Sequence, residues 1–248
     1  MKSSRNIRLV LGFDGTAYHG WQEQRGQRTI QGELCEAIRR ITGERANPAG
    51  SGRTDAGTHA RAFVANFRTD SRIAPASIVR ALNSVLPHDI RIFSAREVPA
   101  GFHARISARA KIYRYQIFRG QVLPPHLARE HFHFPYPVDA GVMTKAAGLF
   151  AGTHDFASFA ASGSAAQNTV RHIFGCNLKS AGRRMVFTVE GNGFLHHMVR
   201  NIMGTLLQIG RGKRSPSDML HILESRDRRN AGPTAPPEGL YLVKVWYR

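Results

Sequence analysis

The feature that most constrains the fold is an order of predicted secondary structure that occurs twice along the chain. In the first half, hydrophobic spacing predicts strand, helix, strand, strand, helix and strand in succession. The predicted strands cover residues 7–13, 48–50, 62–67 and 90–97. The predicted helices cover 30–41, with Thr29 as N-cap, and 76–86, which Pro75 precedes as the first helical residue. This is the order of a split βαβ, or ferredoxin-like, arrangement.

The second half repeats this order with one extra helix. Its predicted strands cover residues 111–118, 170–179, 184–190 and 241–247. Its predicted helices run from an Asp139 cap to residue 150, from 195 to 208, and onward from a Ser215 cap. We therefore predict an α+β fold with two ferredoxin-like, or RRM-like, halves, residues 1–108 and 109–248. Their mainly antiparallel sheets are expected to join around a central cleft, where loops of both halves can grip a large substrate.

The chain is strongly basic. Lys and Arg number 35 against 17 Asp and Glu, a formal net charge of +18, while 42% of the residues are apolar. The apolar content suits a folded protein, and the charge favours a polyanionic partner such as nucleic acid. No segment approaches the roughly 20 apolar residues of a membrane span. We therefore predict a cytoplasmic protein with no membrane contact.

One candidate for chemistry is the glycine-rich segment at residues 49–60, which reads AGSGRTDAGTHA. Glycine allows such a loop to bring its backbone, and the carboxylate of Asp55, close to a ligand. On these residues alone the favoured interpretation is an ordinary turn in which Asp55 binds nearby amides. A phosphate-binding loop is a third interpretation, but the Gly-Lys-Ser/Thr element that it needs is missing.

Five stretches of sequence match one enzyme family in the expected order. They read GRTDAGTH at 52–59, FHAR at 102–105, KIYRY at 111–115, FLHHMVRNI at 194–202 and EGLYLV at 238–243. Together they resemble the transfer RNA (tRNA) pseudouridine synthase A family, whose members act on the anticodon-arm uridines 38, 39 and 40. The resemblance spans nearly the whole chain. It implies tRNA as substrate, a cytoplasmic homodimer and no cofactor.

The resemblance also implies that Asp55 is the catalytic residue. Pseudouridine formation breaks the bond between N1 of uracil and C1′ of ribose, turns the base and rejoins it through C5. An ionised Asp55 can attack C1′ to form a sugar ester or take the C2′ proton to leave a glycal, and both routes stay open. In the resembled family an arginine pairs with this aspartate and favours its charged form. The matching residue is Arg200.

The uracil pocket is assigned from the same stretches. Tyr113 and Tyr115 alternate within one predicted strand, so their rings share a face that offers a stacking platform for a pyrimidine. The resemblance marks Tyr113 as the active-site aromatic. It assigns Leu240 to an apolar wall of the pocket.

Three residues of the first half are expected to contact RNA. The guanidinium of Arg53 stays protonated, so its expected task is to hold the RNA backbone or to fill the space of an extruded base. His103 and Arg105 belong to the FHAR stretch and are expected to bind substrate. Arg105 is also one of several basic residues that can contact phosphates.

Other interpretations remain. A noncatalytic RNA-binding protein, or a pseudouridine synthase of another specificity, fits much of the pattern, and a nuclease can use Asp55 with His59. We predict no metal site, because no cysteine or acid completes a ligand spacing with the twelve histidines. Two residues depart from the resembled pattern: Thr58, where a small aliphatic residue is expected, and His172, where threonine is common.

Overall fold

The computed structural model describes residues 4–163 and 166–247. Its strands are β1 (Arg5–Phe13), β2 (Ala49–Gly50), β3 (His59–Thr69), β4 (Ile90–Val98), β5 (Ala110–Phe118), β6 (Phe132–His133), β7 (Gly152–Asp155), β8 (Val170–Ala181), β9 (Arg184–Gly191) and β10 (Leu240–Trp246). Its α-helices are α1 (Ile30–Thr42), α2 (Pro75–Val85), α3 (Ala140–Gly148), α4 (Met198–Gly210) and α5 (Asp218–Ser225). The predicted α+β class with mainly antiparallel strand pairs is confirmed.

The chain divides into two compact units. The first contains the described residues up to Arg109 together with the C-terminal ones from Leu242 onward, and the second runs from Ala110 to Tyr241. Strand β10 therefore begins in the second unit and continues in the first. Every α-helix among the described residues is too short or too polar to cross a membrane.

The first unit has the strand order β4-β1-β3-β10, and the short β2 also pairs with β3. Strand β1 is antiparallel to both β3 and β4. Together with α1 and α2, the strands give the ferredoxin-like succession that the sequence predicts. Alternate residues Ile7, Leu9 and Leu11 of β1 are fully buried, whereas Arg8 and Val10 between them keep part of their surface exposed. This alternation is typical of a strand with one well-covered face.

Local capping explains the helix boundaries of the first unit. The Gly32 amide donates to the Thr29 hydroxyl oxygen at 3.2 Å, so Thr29 is the N-cap of α1. The same helix ends at Gly43, whose φ of 76° lies in the left-handed region. Pro75 is the first residue of α2, where its missing N–H leaves no hydrogen bond unmade. Both predicted helix starts are confirmed.

The second unit has the strand order β5-β9-β8-β7, in which neighbours are antiparallel, and β6 pairs in parallel with β5. Strands β5, β8 and β9 confirm the strands predicted at residues 111–118, 170–179 and 184–190. Asp139 caps α3 as predicted, because its carboxylate accepts the Val142 amide at 3.0 Å. The sequence does not predict β6 and β7, since two and four residues are too few to show an alternation.

Two helices begin later than the sequence predicts. Helix α4 begins at Met198 and not at residue 195, because His197 has a φ of 61° and cannot continue a right-handed helix. Helix α5 begins at Asp218 and not directly after a Ser215 cap. The Ser215 amide still donates to the Asp218 carboxylate at 2.9 Å, so Ser215 is tied to the helix start through a turn.

A loop at residues 231–235 packs closely against α4. The Gly232 amide donates to the buried Thr205 hydroxyl at 2.8 Å. The nearest approach is at Gly204, where a Cβ would lie 1.7 Å from the carbonyl oxygen of Pro233. Helix and loop can therefore meet only if residue 204 has no side chain.

We predict that Gly204→Ala lowers the free energy of unfolding by about 3 kcal/mol, the upper end of the usual cost of overpacking. Gly148→Ala in α3 is the matched control, since a Cβ there has no neighbour within 4 Å. This control should leave stability unchanged or raise it by up to about 1 kcal/mol. Urea unfolding followed by circular dichroism measures both. Equal unfolding midpoints for the two variants would contradict the described contact.

Candidate active site

Asp55 lies in a tight loop between β2 and β3 of the first unit. The Thr58 amide donates to the Asp55 carbonyl at 3.1 Å, and Gly57 has a φ of 76°, a conformation that glycine tolerates. Asp55 itself is half-buried, while Arg53 is exposed. The loop thus fixes the backbone of Asp55 and leaves the Arg53 guanidinium accessible to a polyanion.

The segment at residues 14–21 holds this loop by main-chain contacts. The Trp21 amide donates to the Thr54 carbonyl at 3.3 Å. Gly20 has a φ of 81°, and a Cβ there would lie 2.2 Å from the same carbonyl oxygen. The backbone next to Asp55 is therefore set by a neighbour that must be glycine for two reasons, its conformation and its lack of a side chain.

The far side of the loop is held in the same way. The Gly57 amide donates to the Tyr18 carbonyl at 3.2 Å, and a Cβ on Gly15 would lie 2.0 Å from the carbonyl oxygen of Thr58. Thr58, one of the two departures from the resembled pattern, is 1% exposed. Its hydroxyl has no hydrogen-bond partner among residues 4–163 and 166–247. An aliphatic side chain of similar size would fill this position without burying a hydroxyl.

Aromatic packing anchors the start of the loop. The Trp21 ring stacks on Phe63 with 4.4 Å between ring centroids. A Cβ on Gly50 would come within 2.5 Å of the Trp21 ring. The 14–21 segment is part of the site that was not predicted from the sequence. The available signal was its pair of glycines, Gly15 and Gly20, on either side of a tyrosine and directly before a tryptophan.

His59 supports the loop from inside the first unit. It is 2% exposed, and its Nδ1 accepts the Gly15 amide at 3.1 Å and lies 3.2 Å from the Asp14 carboxylate. A nuclease that pairs Asp55 with His59 would need this imidazole to reach a substrate. Its burial and its bond to Gly15 instead suit a structural role.

The two residues of the FHAR turn that are predicted to contact RNA differ in exposure. Arg105 is exposed, whereas the Nδ1 of half-buried His103 accepts the Arg105 amide at 3.1 Å and so caps its own turn. The turn is anchored at Ala104, whose amide donates to Asn66 Oδ1 at 2.8 Å and whose carbonyl accepts the Tyr247 hydroxyl at 2.6 Å. Arg105 is therefore presented on a fixed backbone.

In the second unit, Tyr113 and Tyr115 share the buried face of β5, as predicted, and Arg114 between them is exposed. Tyr113 is 8% exposed and meets Phe194 edge to face, with 4.9 Å between centroids. Tyr115 is fully buried and donates its hydroxyl to the Pro236 carbonyl at 2.6 Å. Burial, reinforced by the nearby charge of Glu238, raises the pKa of Tyr115 well above its ordinary value. Tyr115 is thus structural, and Tyr113 lies nearer the surface.

Leu240 and Arg200 also belong to the second unit. Leu240 is 5% exposed and directly follows Gly239, whose carbonyl accepts the Gln116 amide of β5 at 2.8 Å. Arg200 on α4 donates its Nε to the Ala235 carbonyl at 2.7 Å, and the Ala235 amide donates back to the Arg200 carbonyl at 3.1 Å. The guanidinium of Arg200 is therefore oriented by a backbone contact that does not neutralise its charge.

We predict that Gly20→Ala loosens the Asp55 loop. The added methyl group cannot fit beside the Thr54 carbonyl, so the amides of Trp21 and Gly57 should exchange their hydrogens faster with solvent. Gly26→Ala is the matched control, because Gly26 also has a positive φ of 74° but a Cβ there meets nothing within 4 Å. Hydrogen exchange measured by NMR would contradict the described contact if both variants changed these amides equally.

Comparison with known proteins extends these observations. The family described as "tRNA pseudouridine synthase" matches residues 10–106 and 146–248. The tRNA pseudouridine synthase A of Caldicellulosiruptor saccharolyticus is 47% identical over 243 residues, which cover 98% of this chain and 100% of that protein. The tRNA pseudouridine synthase A of Geobacillus kaustophilus is 43% identical over 248 residues, which cover 98% of this chain and 95% of that protein. Because both the family match and these identities extend across most of the sequence, the chain belongs to the tRNA pseudouridine synthase family.

Proposed function

We propose that this protein is an isomerase that converts uridine to pseudouridine in tRNA, with Asp55 as its catalytic carboxylate. The observation that carries the proposal is a half-buried aspartate on a backbone fixed from both sides, in a chain with +18 formal charge and relatives named for this activity. A carboxylate that must reach one ribose atom benefits from such fixed geometry. A polyanionic substrate accounts for the charge.

The reaction requires no net gain or loss of atoms. The N1–C1′ bond breaks, the base turns, and a C5–C1′ bond forms while C5 loses a proton and N1 gains one. Asp55 either attacks C1′ and is later displaced from the sugar ester, or removes the C2′ proton and later returns it. In both routes its carboxylate must be ionised at the start.

The other site residues have distinct proposed tasks. In residues 1–108, exposed Arg53 and Arg105 contact the RNA backbone, and His103 contributes by shaping the turn that presents Arg105. In residues 109–248, we assign the uracil ring to Tyr113 and Leu240. Tyr113 offers an aromatic ring and Leu240 an apolar surface, the two kinds of contact that an unstacked base makes.

Arg200 is proposed as the cation that keeps Asp55 ionised. This assignment rests on the match of the 194–202 stretch to the family pattern. It is supported by the contact of the Arg200 Nε with the Ala235 carbonyl, which orients the guanidinium without neutralising its charge.

We further propose that the target uridines are positions 38, 39 and 40 of the anticodon arm, and that the protein acts as a cytoplasmic homodimer without cofactor. Uridines in a paired stem are hidden, so the base must be extruded at a cost of a few kcal/mol that RNA binding supplies. The exposed arginines of the Asp55 loop and the FHAR turn provide charge for that binding.

We predict that Asp55→Asn abolishes pseudouridine formation in an unmodified tRNA transcript, while the wild type is fully active in EDTA. Asparagine keeps the shape of the side chain but can neither attack C1′ nor accept the C2′ proton. Asp70→Asn is the control, because Asp70 is an exposed acid of the same unit that directly follows β3. Its activity should equal that of the wild type.

Each other outcome of this assay selects a different function. Product from Asp55→Asn would refute the assignment of Asp55. Binding of tRNA without product from the wild type would favour a noncatalytic RNA-binding protein. Activity lost in EDTA and restored by a divalent ion would indicate a metal site.

We predict that substitution of uridine 38, 39 or 40 by cytidine in a transcript removes the product at that position only. The reason is that cytidine cannot yield pseudouridine, whereas the phosphate contacts that hold the RNA are unchanged. Nucleotide-resolution mapping of pseudouridine measures the result. Product outside these positions in the unsubstituted transcript would contradict the proposed specificity.

A further inference from the structure

One face of the first unit's sheet brings two arginines directly opposite each other. Arg8 on β1 pairs in register with Arg96 on β4, and with Asn66 of β3 on its other side. Residues directly opposite on antiparallel strands point their side chains to the same face, with Cβ atoms about 5 Å apart. Two like charges at this separation destabilise the sheet unless an anion lies between them.

No acid relieves this pair within the described strands of the first unit. Glu97 is the only acidic residue in the described parts of β1, β3, β4, β10 and residues 99–109. It directly follows Arg96 in β4, so its side chain points to the other face of the sheet. There its carboxylate accepts the Arg5 Nε at 2.8 Å. The charge on the Arg8 side of the sheet therefore remains uncompensated by these elements.

Arg8 is partly withdrawn from solvent, which makes its charge more costly to leave without an anion. Its Nε is buried and has no hydrogen-bond partner within residues 4–163 and 166–247. Its guanidinium carbon lies 5.7 Å from the centroid of the Tyr247 ring. Burial and the neighbouring Arg96 both lower the pKa of Arg8 from its ordinary value. Arg96, in contrast, is exposed.

An exposed aromatic ring stands on the same face. The register of β1 and β4 shifts between Val10 and Leu11, and Phe93 is the extra residue that this shift leaves on β4. Such a bulge redirects a side chain. The Phe93 ring lies over Gly12, where a Cβ would come within 2.8 Å of it. Gly12 shares its face with Arg8 because it lies four positions further along the strand, an even number. Phe93 is 60% exposed.

We propose that Arg8, Arg96 and Phe93 form a binding site for the RNA substrate, here called the β1–β4 face. The two guanidinium groups bind one backbone phosphate between them, and the Phe93 ring stacks on an unpaired base of the same RNA. Paired cations suit a phosphate, while an exposed ring on a sheet suits a base with its π-face free. The proposal rests on tRNA being the substrate and adds contact residues that lie outside the Asp55 loop in sequence.

The test measures the affinity of an unmodified tRNA transcript at several salt concentrations. Arg96→Ala should weaken binding about tenfold, the factor for one charge-assisted hydrogen bond. It should also reduce the slope of log Kd against log salt by about 0.7 to 0.9, as one phosphate contact is lost. Phe93→Ala should weaken binding about tenfold at every salt concentration without changing the slope.

Arg80→Ala is the matched control. Arg80 is an exposed arginine of α2 in the same unit, so this variant loses the same charge but no residue of the β1–β4 face. Its affinity and salt slope should stay within twofold of the wild type. Equal effects of Arg80→Ala and Arg96→Ala would overturn the proposal, because general electrostatic attraction would then explain both.

Thermal melting without RNA separates binding from folding. Arg96→Ala removes a like-charge pair, so its Tm should equal or exceed that of the wild type although it binds RNA more weakly. A lower Tm with unchanged affinity would overturn the proposal. So would a Phe93→Ala variant that loses a subunit partner in light scattering, since the face would then be a protein interface.

The pseudouridine assay keeps this inference separate from the proposed function. An active wild type with unchanged tRNA affinity in Arg96→Ala and Phe93→Ala would overturn the β1–β4 face alone. An inactive wild type whose tRNA binding is weakened by these two substitutions would support the face and refute the proposed activity.

Discussion

The arrangement around Asp55 depends on backbone meeting backbone. Gly20 and Gly15 approach the carbonyl oxygens of Thr54 and Thr58 at distances that no side chain would allow. Main-chain bonds from the 14–21 segment then hold the loop that bears Asp55. Side-chain contacts can shift by changing rotamer, but a carbonyl in this position moves only with its whole peptide unit. The fixed position of the Asp55 backbone is thus a property of two segments that lie far apart in sequence.

The second unit achieves a similar rigidity with buried polar groups. Asn201 and Thr205 are fully buried on α4, and both are hydrogen-bonded. Asn201 also accepts the Thr234 hydroxyl at 2.6 Å, which draws the following loop onto the helix. Buried amides and hydroxyls are stabilising only when satisfied, so they specify one position of the loop. That loop contains Ala235, the partner of Arg200.

The sequence predicted what local residues determine. Thr29, Pro75 and Asp139 mark helix starts because their side chains act within one turn of their own position. The sequence did not predict the left-handed φ of His197, because no residue near the start of α4 forbids a helix that begins earlier. The alternation of Tyr113 and Tyr115 correctly predicted that they share one face of β5. The role of the 14–21 segment was not predicted, because it depends on contacts with residues far away in the sequence. Resemblance to a family, rather than spacing, selected Asp55 and Arg200 as site residues.

The division of β10 between the two units links their folding. Residues from Leu242 onward belong to the first unit but are separated from Arg109 by the whole second unit. Bringing such distant segments together is slow, although the entropy of closing a loop grows only gradually with its length. The Tyr247 hydroxyl that donates to the Ala104 carbonyl belongs to this distant segment. The FHAR turn, and with it the backbone that presents Arg105, is thus held by a residue that the chain supplies only after the whole second unit.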